Sequence, residues 1–112
     1  MKFKIMPSKV KGTKYTAIFE CPKCNSVKTI HFGASGMSDY TIHKDYNRMK
    51  RYEKRHKARE DWNNPMTAGA LSKWILWNKP DFKESVDDFI QRFNLEGECL
   101  KELMKNCDKN KI

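Results

Sequence analysis

With 112 residues, 38% hydrophobic and 12% aromatic, the chain has material for one modest core and not for two. Six Phe, four Tyr and three Trp argue against disorder throughout. The formal net charge of +9 comes from one half only: residues 1–60 carry 15 Lys and Arg against 5 Asp and Glu, and residues 61–112 carry 8 against 9. Such asymmetry points to a polyanionic partner, of which nucleic acid is the commonest. No stretch approaches the roughly 18 apolar residues of a membrane span, and the opening MKFKIMPSK lacks the apolar core of a signal peptide. The expectation is therefore a protein without a membrane partner, its four cysteines reduced thiols and not a disulfide framework.

In chain order, residues 1–14 read as a basic arm in which Phe3 and Ile5 alternate with lysines, as in a short edge strand, before Pro7 and Gly12 interrupt. Tyr15–Phe19 and Val27–Phe32 are β-branched and aromatic with alternating polarity, and the turn-forming ECPKCNS between them predicts an antiparallel hairpin over 15–32. Tyr15, Ala17 and Phe19 share a face, which meets either Val27, Thr29 and His31 or Ile30 and Phe32; the register stays open. Gly33 and Gly36 end the strand and begin a loop over 33–45.

Asp45 stands where an N-cap belongs, ahead of a basic helix over 46–60 whose less charged stripe is Met49, Tyr52 and His56. Asn63-Asn64-Pro65 breaks the chain before an apolar helix over 65–77 containing Ala70, Leu71, Trp74, Ile75 and Trp77. Pro80 ends it. Asp81 and Glu84 resemble a capping box that opens a helix over 82–93, with Val86, Phe89, Ile90 and Phe93 on one face. Gly97 precedes an amphipathic piece, Cys99–Cys107, in a C-terminal helical tail over 96–112 that frays at its end. The fold class expected is α+β: a small antiparallel hairpin or three-stranded sheet packed against three to four short helices, with residues 1–95 as a single compact basic domain.

The basic helix carries the first functional reading. Lys44, Arg48, Lys50, Arg51, Lys54, Arg55, Lys57 and Arg59 repel one another unless an anion lies against them, and phosphate contacts from such a helix give affinity without sequence information. Lys2, Lys4, Lys9, Lys11 and Lys14 would add non-specific affinity. Tyr46 and Tyr52 are placed either to stack on bases or to pack in the core. A second reading is a phosphate site in the loop, from Gly33, Ser35, Gly36, Ser38 and His43; the spacing matches no nucleotide-binding fingerprint, and a packed Ω-like loop closed by Met37, Tyr40 and Ile42 is the alternative.

Cys21-x-x-Cys24 has the form of a zinc knuckle, the one cofactor the sequence suggests, although His31, His43, His56, Cys99 and Cys107 supply no matching second pair. Two tolerated thiols are the plain alternative. A metal-dependent nuclease would use His43 with Asp39 or Asp45. No HExxH or GxSxG pattern appears, so an enzyme is not the preferred reading. Trp74 and Trp77 are expected in the core.

The phrases HFGASGMSDYTIHKD (His31–Asp45) and RHKxREDWNNPxTAGALSKWILWNKP (Arg55–Pro80), joined through Arg48 and Tyr52, resemble a small uncharacterised family of giant DNA viruses over roughly residues 14–95. A looser echo of Phe32–His56 occurs in phage proteins. The resemblance implies a viral origin and presence in virions. It also implies that the cysteines of the hairpin turn are peculiar to this chain, which disfavours a shared metal site. The combined expectation is a genome- or virion-associated viral protein, located in the virion or the infected cell, that binds nucleic acid, DNA ahead of RNA, largely without sequence preference. A minor capsid or scaffold protein meeting other virion proteins is the alternative, and the nuclease the second alternative.

Overall fold

The computed structural model describes residues 1–100, 103 and 104. Three β-rich segments form one antiparallel sheet in the order β1 (Lys2–Pro7), β2 (Thr13–Cys21), β3 (Ser26–Ala34). The alternation of Phe3 and Ile5 is thus that of an edge strand, with Phe3 opposite Phe19 and Ile5 opposite Ala17. On the other side Tyr15 faces Phe32 and Ala17 faces Ile30, which resolves the open register in favour of Ile30 and Phe32; Val27 points to solvent. The hairpin turn is a single tight 3-10 turn, Pro22–Cys24, closed by Asn25 at φ 52°. Asparagine tolerates that left-handed conformation better than most residues.

Four α-helices lie among the described residues: α1 (Tyr40–His43), α2 (Tyr46–His56), α3 (Ala68–Leu71) and α4 (Phe82–Arg92). The architecture is α+β. Each helix starts on a side-chain cap: Asp39 accepts from Thr41 N–H, Asp45 from Arg48 N–H, Thr67 from Ala70 N–H and Asp81 from Glu84 N–H. Each cap satisfies a backbone donor that the helix leaves unpaired and contributes about 1 kcal/mol.

Three expectations change. The basic helix stops at His56 and residues 57–59 form a turn, so Lys57 and Arg59 lie beyond it. The loop over 33–45 contains α1, nucleated by Asp39. The apolar helix over 65–77 is a single α-turn, α3, succeeded by a π-helical segment, Ser72–Leu76, in which Trp77 N–H reaches the Ser72 carbonyl at 3.1 Å. A π-turn inserts an extra residue and rotates the chain beyond it. Trp74 and Trp77, three apart, therefore leave in different directions. Trp74 meets Phe93 and donates its indole N–H to the Trp62 carbonyl, whereas Trp77 turns toward α2.

The core lies between the sheet's inner face and the helices: Ala17 and Phe19 from β2, Leu71 and Ile75 from α3 and the π-turn, Phe89 from α4, and Leu95 are fully buried. The reading of all cysteines as thiols is overturned, because Cys21 is disulfide-bonded to Cys99 across 78 residues. Redox compartment was the only ground for that reading, and it says nothing about which sulfurs the packing brings together. The bond ties the region after α4 to the hairpin end, where Leu103 is buried and Leu100 and Met104 pack on the core. The remaining expectations for the tail, Cys107 and the end of the chain included, fall outside the described residues.

Candidate nucleic-acid interface and the adjoining cleft

Helix α2 holds five cations and one carboxylate in 11 residues. Three local features let it form against that repulsion. Asp45 caps it, Met49 and Tyr52 bury one side, and Lys54, Arg55 and His56 occupy the last turn, where the helix dipole favours positive charge. Its one carboxylate, Glu53, is spent at home: Oε1 lies 3.4 Å from Lys50 Nζ and Oε2 3.6 Å from Lys73 Nζ. Lys73, in the π-turn, is buried, its ammonium 4.6 Å from the Trp74 ring centre and 5.4 Å from that of Trp62. Burial pushes its pKa down, and Glu53 opposes the shift.

All eight cations predicted to contact phosphate are exposed. Two have partners within the chain: Lys44 donates to the Pro80 carbonyl, and Lys50 pairs with Glu53 and sits over the Tyr46 ring. The side chains of Arg48, Arg51, Lys54, Arg55, Lys57 and Arg59 make no ion pair or hydrogen bond among the described residues. Of the N-terminal lysines, Lys14 is withdrawn by a 2.5 Å ion pair with buried Asp39, while Lys2, Lys4, Lys9 and Lys11 stay exposed.

Behind the cations stands a pile of rings. Tyr52 lies parallel to Trp77, with centres 4.3 Å apart, and stacks on His56 at 4.2 Å. No contact joins the His56 and Trp77 rings, so they occupy opposite faces of Tyr52. Of the two tyrosines, Tyr52 therefore packs inside, and Tyr46 is 57% exposed. Burial, with the Glu60 charge adding to it, pushes the Tyr52 phenol pKa far up. His56 Nδ1 meets Glu60 Oε1 at 3.2 Å, and the Trp62 indole N–H donates to Glu60 Oε2 at 2.7 Å. The same carboxyl lies over Gly69, where a Cβ would come within 2.8 Å of it. Glycine at 69 makes room for the Glu60 carboxylate.

These groups border a cleft of about 480 Å³ between the end of β3, the loop around Met37–Asp39, α2 and α3. Much of its lining is read from the sequence in other roles, Lys14, Ser38, Asp39 and Arg55 among them; that these residues share one cleft with Gly69 and Ser72 is set by the tertiary fold alone.

The loop phosphate site does not assemble as expected. Gly33 belongs to β3, packed against Leu76 and Lys14, and the Ser35 and Met37 amides are spent on the Gly12 and Ala34 carbonyls. His43 accepts the Asp45 N–H on Nδ1, which leaves its proton on Nε2, a buried atom without a hydrogen-bond partner, with the ring against Trp77. Asp39 is occupied by Lys14 and Thr41, and Asp45 by its capping role. Of the groups named for a nuclease, the His43 Nε2 is thus buried and Asp39 is engaged, while Asp45 caps α2 through one oxygen. The Cys21 sulfur, bonded to Cys99, is no thiolate ligand, so the proposed knuckle is not formed; among the described residues no group of three or more His, Cys, Asp or Glu is placed to hold a metal ion. Nor, among them, is any helix long and apolar enough to cross a membrane.

Residues 3–56 match a family of unknown function, DUF5754. The matched stretch comprises the sheet, α1 and α2, and stops before α3 and α4. No curated protein and no solved structure matches the chain.

Proposed function

We propose that the protein binds nucleic acid, DNA in preference to RNA, through phosphate contacts from α2 and the turn after it, with little sequence preference. The observation that carries this reading is a set of six exposed cations without partners among the described residues, four on α2 and two in the turn after it, while the one carboxylate of α2 is taken up by Lys50 and Lys73. A solvated surface helix ordinarily interleaves charges of both signs; this one leaves its positive charge uncompensated, which an anionic polymer would relieve. The resemblance of His31–Asp45 and Arg55–Pro80 to proteins of giant DNA viruses supports a genome- or virion-associated role. Titrating duplex DNA at two ionic strengths tests the reading. With six phosphate contacts, affinity is expected to fall about a thousandfold between about 50 and 200 mM salt. Absent binding at low salt, or binding indifferent to salt, refutes it.

A further inference from the structure

We propose that the cleft beside α2 receives one unpaired nucleotide, from a strand end or a single-stranded segment of the nucleic acid that α2 holds. The proposal deepens the phosphate-contact reading and rests on it. A volume of about 480 Å³ is that of a site enclosing a small molecule. A duplex keeps its bases paired and stacked inside and offers no projecting piece of that size; an unpaired nucleotide does.

The lining suits such a ligand. The ring pile of Trp77 and Tyr52 ends on His56, whose side chain is 39% exposed and has Tyr52 on one face only. A base laid on the outer face of His56 continues the stack. The Glu60 carboxylate at Nδ1 holds the ring in this orientation. Ser38 and Ser72 line the same cleft, and a serine hydroxyl, donor and acceptor at once, serves any base.

Arg55 connects this cleft to the helix surface. It lines the cleft, is exposed, and has no partner among the described residues, so it stands at the rim. It also comes four residues after Arg51 and seven after Arg48, which puts all three along one flank of α2. A backbone tracked by that row arrives at Arg55, and the next base then has an aromatic-ended, hydrogen-bonding recess to enter. Cationic track and stacking surface together are the usual means of holding single strands.

The test uses the whole protein and two probes of one sequence, a blunt duplex and the same duplex with a short single-stranded overhang. The overhang is expected to bind about tenfold more tightly, the value of one stacked base. Ala68→Trp and Ala34→Trp fill the cleft from exposed positions that no contact in the argument uses. Each should erase the overhang preference while blunt-duplex affinity and the melting temperature stay as in the wild type. Equal wild-type affinity for the two probes overturns the cleft proposal alone, as does a preference that survives in both folded Trp variants. Failure of both probes to bind at low salt overturns the phosphate-contact reading, and the cleft proposal with it.

Discussion

Helices α2 and α4 are built alike and used differently. Both run 11 residues, and in both an aspartate cap accepts the amide three residues on. In α4 charges of both signs alternate, and one pair closes on the core: Arg92 reaches Asp88 at 3.3 Å and covers the Trp74 ring, and Asp88 accepts from Asn78. Phe89 anchors it with no exposed surface, its ring 5.4 Å from Phe3 and 5.1 Å from Phe93. In α2 the inward face is Met49 and Tyr52, and of the outward cations only Lys50 has a carboxylate partner among the described residues. The same local rules make both helices. What differs is the balance of charge on the exposed face: α4 sets Lys83 and Arg92 against Glu84, Asp87 and Asp88, whereas α2 sets five cations against one carboxylate.

Three substitutions sharpen the contrast, in decreasing order of effect. Phe89→Ala removes the anchor of α4 and should lower stability by about 3–5 kcal/mol in denaturant unfolding; a loss below about 1 kcal/mol would show that α4 does not brace the sheet. Cys99→Ser breaks a closure spanning 78 residues and should cost about 2–4 kcal/mol. Intact protein under reductant, which opens the disulfide of Cys24 as well, should lose at least as much, and no loss in either case would mean that the covalent tie contributes nothing.

Tyr52→Phe is the smallest, under about 1 kcal/mol at neutral pH, since the rings still stack. Its signature is in alkali. The folded phenol holds its proton more tightly than the unfolded one, whose pKa is about 10. The stability this group contributes is therefore complete below pH 10 and is lost as the pH climbs through 10 toward the raised folded value. The wild type should show that decline in alkaline denaturation and the variant a shallower one. Identical slopes would place the Tyr52 hydroxyl in water.

Much of the scaffold was legible because its signals are local. Asp45 and Asp81 announce helix starts through chemistry that acts over three residues, and the alternation of Phe3 and Ile5 needs only a partner strand. What escaped was long-range. The pairing of Cys21 with Cys99 depends on α4 returning the chain to the hairpin end. The parting of Trp74 and Trp77 depends on a π-turn that no propensity in SKWIL announces, and the same turn carries Trp77 to Tyr52. Of the candidate site, the cations were readable as charge. That Lys14, Lys44 and Lys50 have partners while Arg48, Arg51 and Lys54 do not was decided by tertiary contacts with Asp39 and Pro80, and by the use of Glu53.

The central claim is that the open charge of α2 serves binding and not folding. Replacing Arg51, Lys54, Arg55 and Arg59 by Glu tests it in one variant, with duplex-DNA titration at low salt and thermal unfolding as the readouts. The prediction is loss of detectable binding with stability lowered by no more than about 2 kcal/mol, because exposed charges without partners contribute little to the fold and only Lys54 and Arg55 meet the helix dipole. Undiminished affinity in the folded variant, or collapse of the fold, would contradict it.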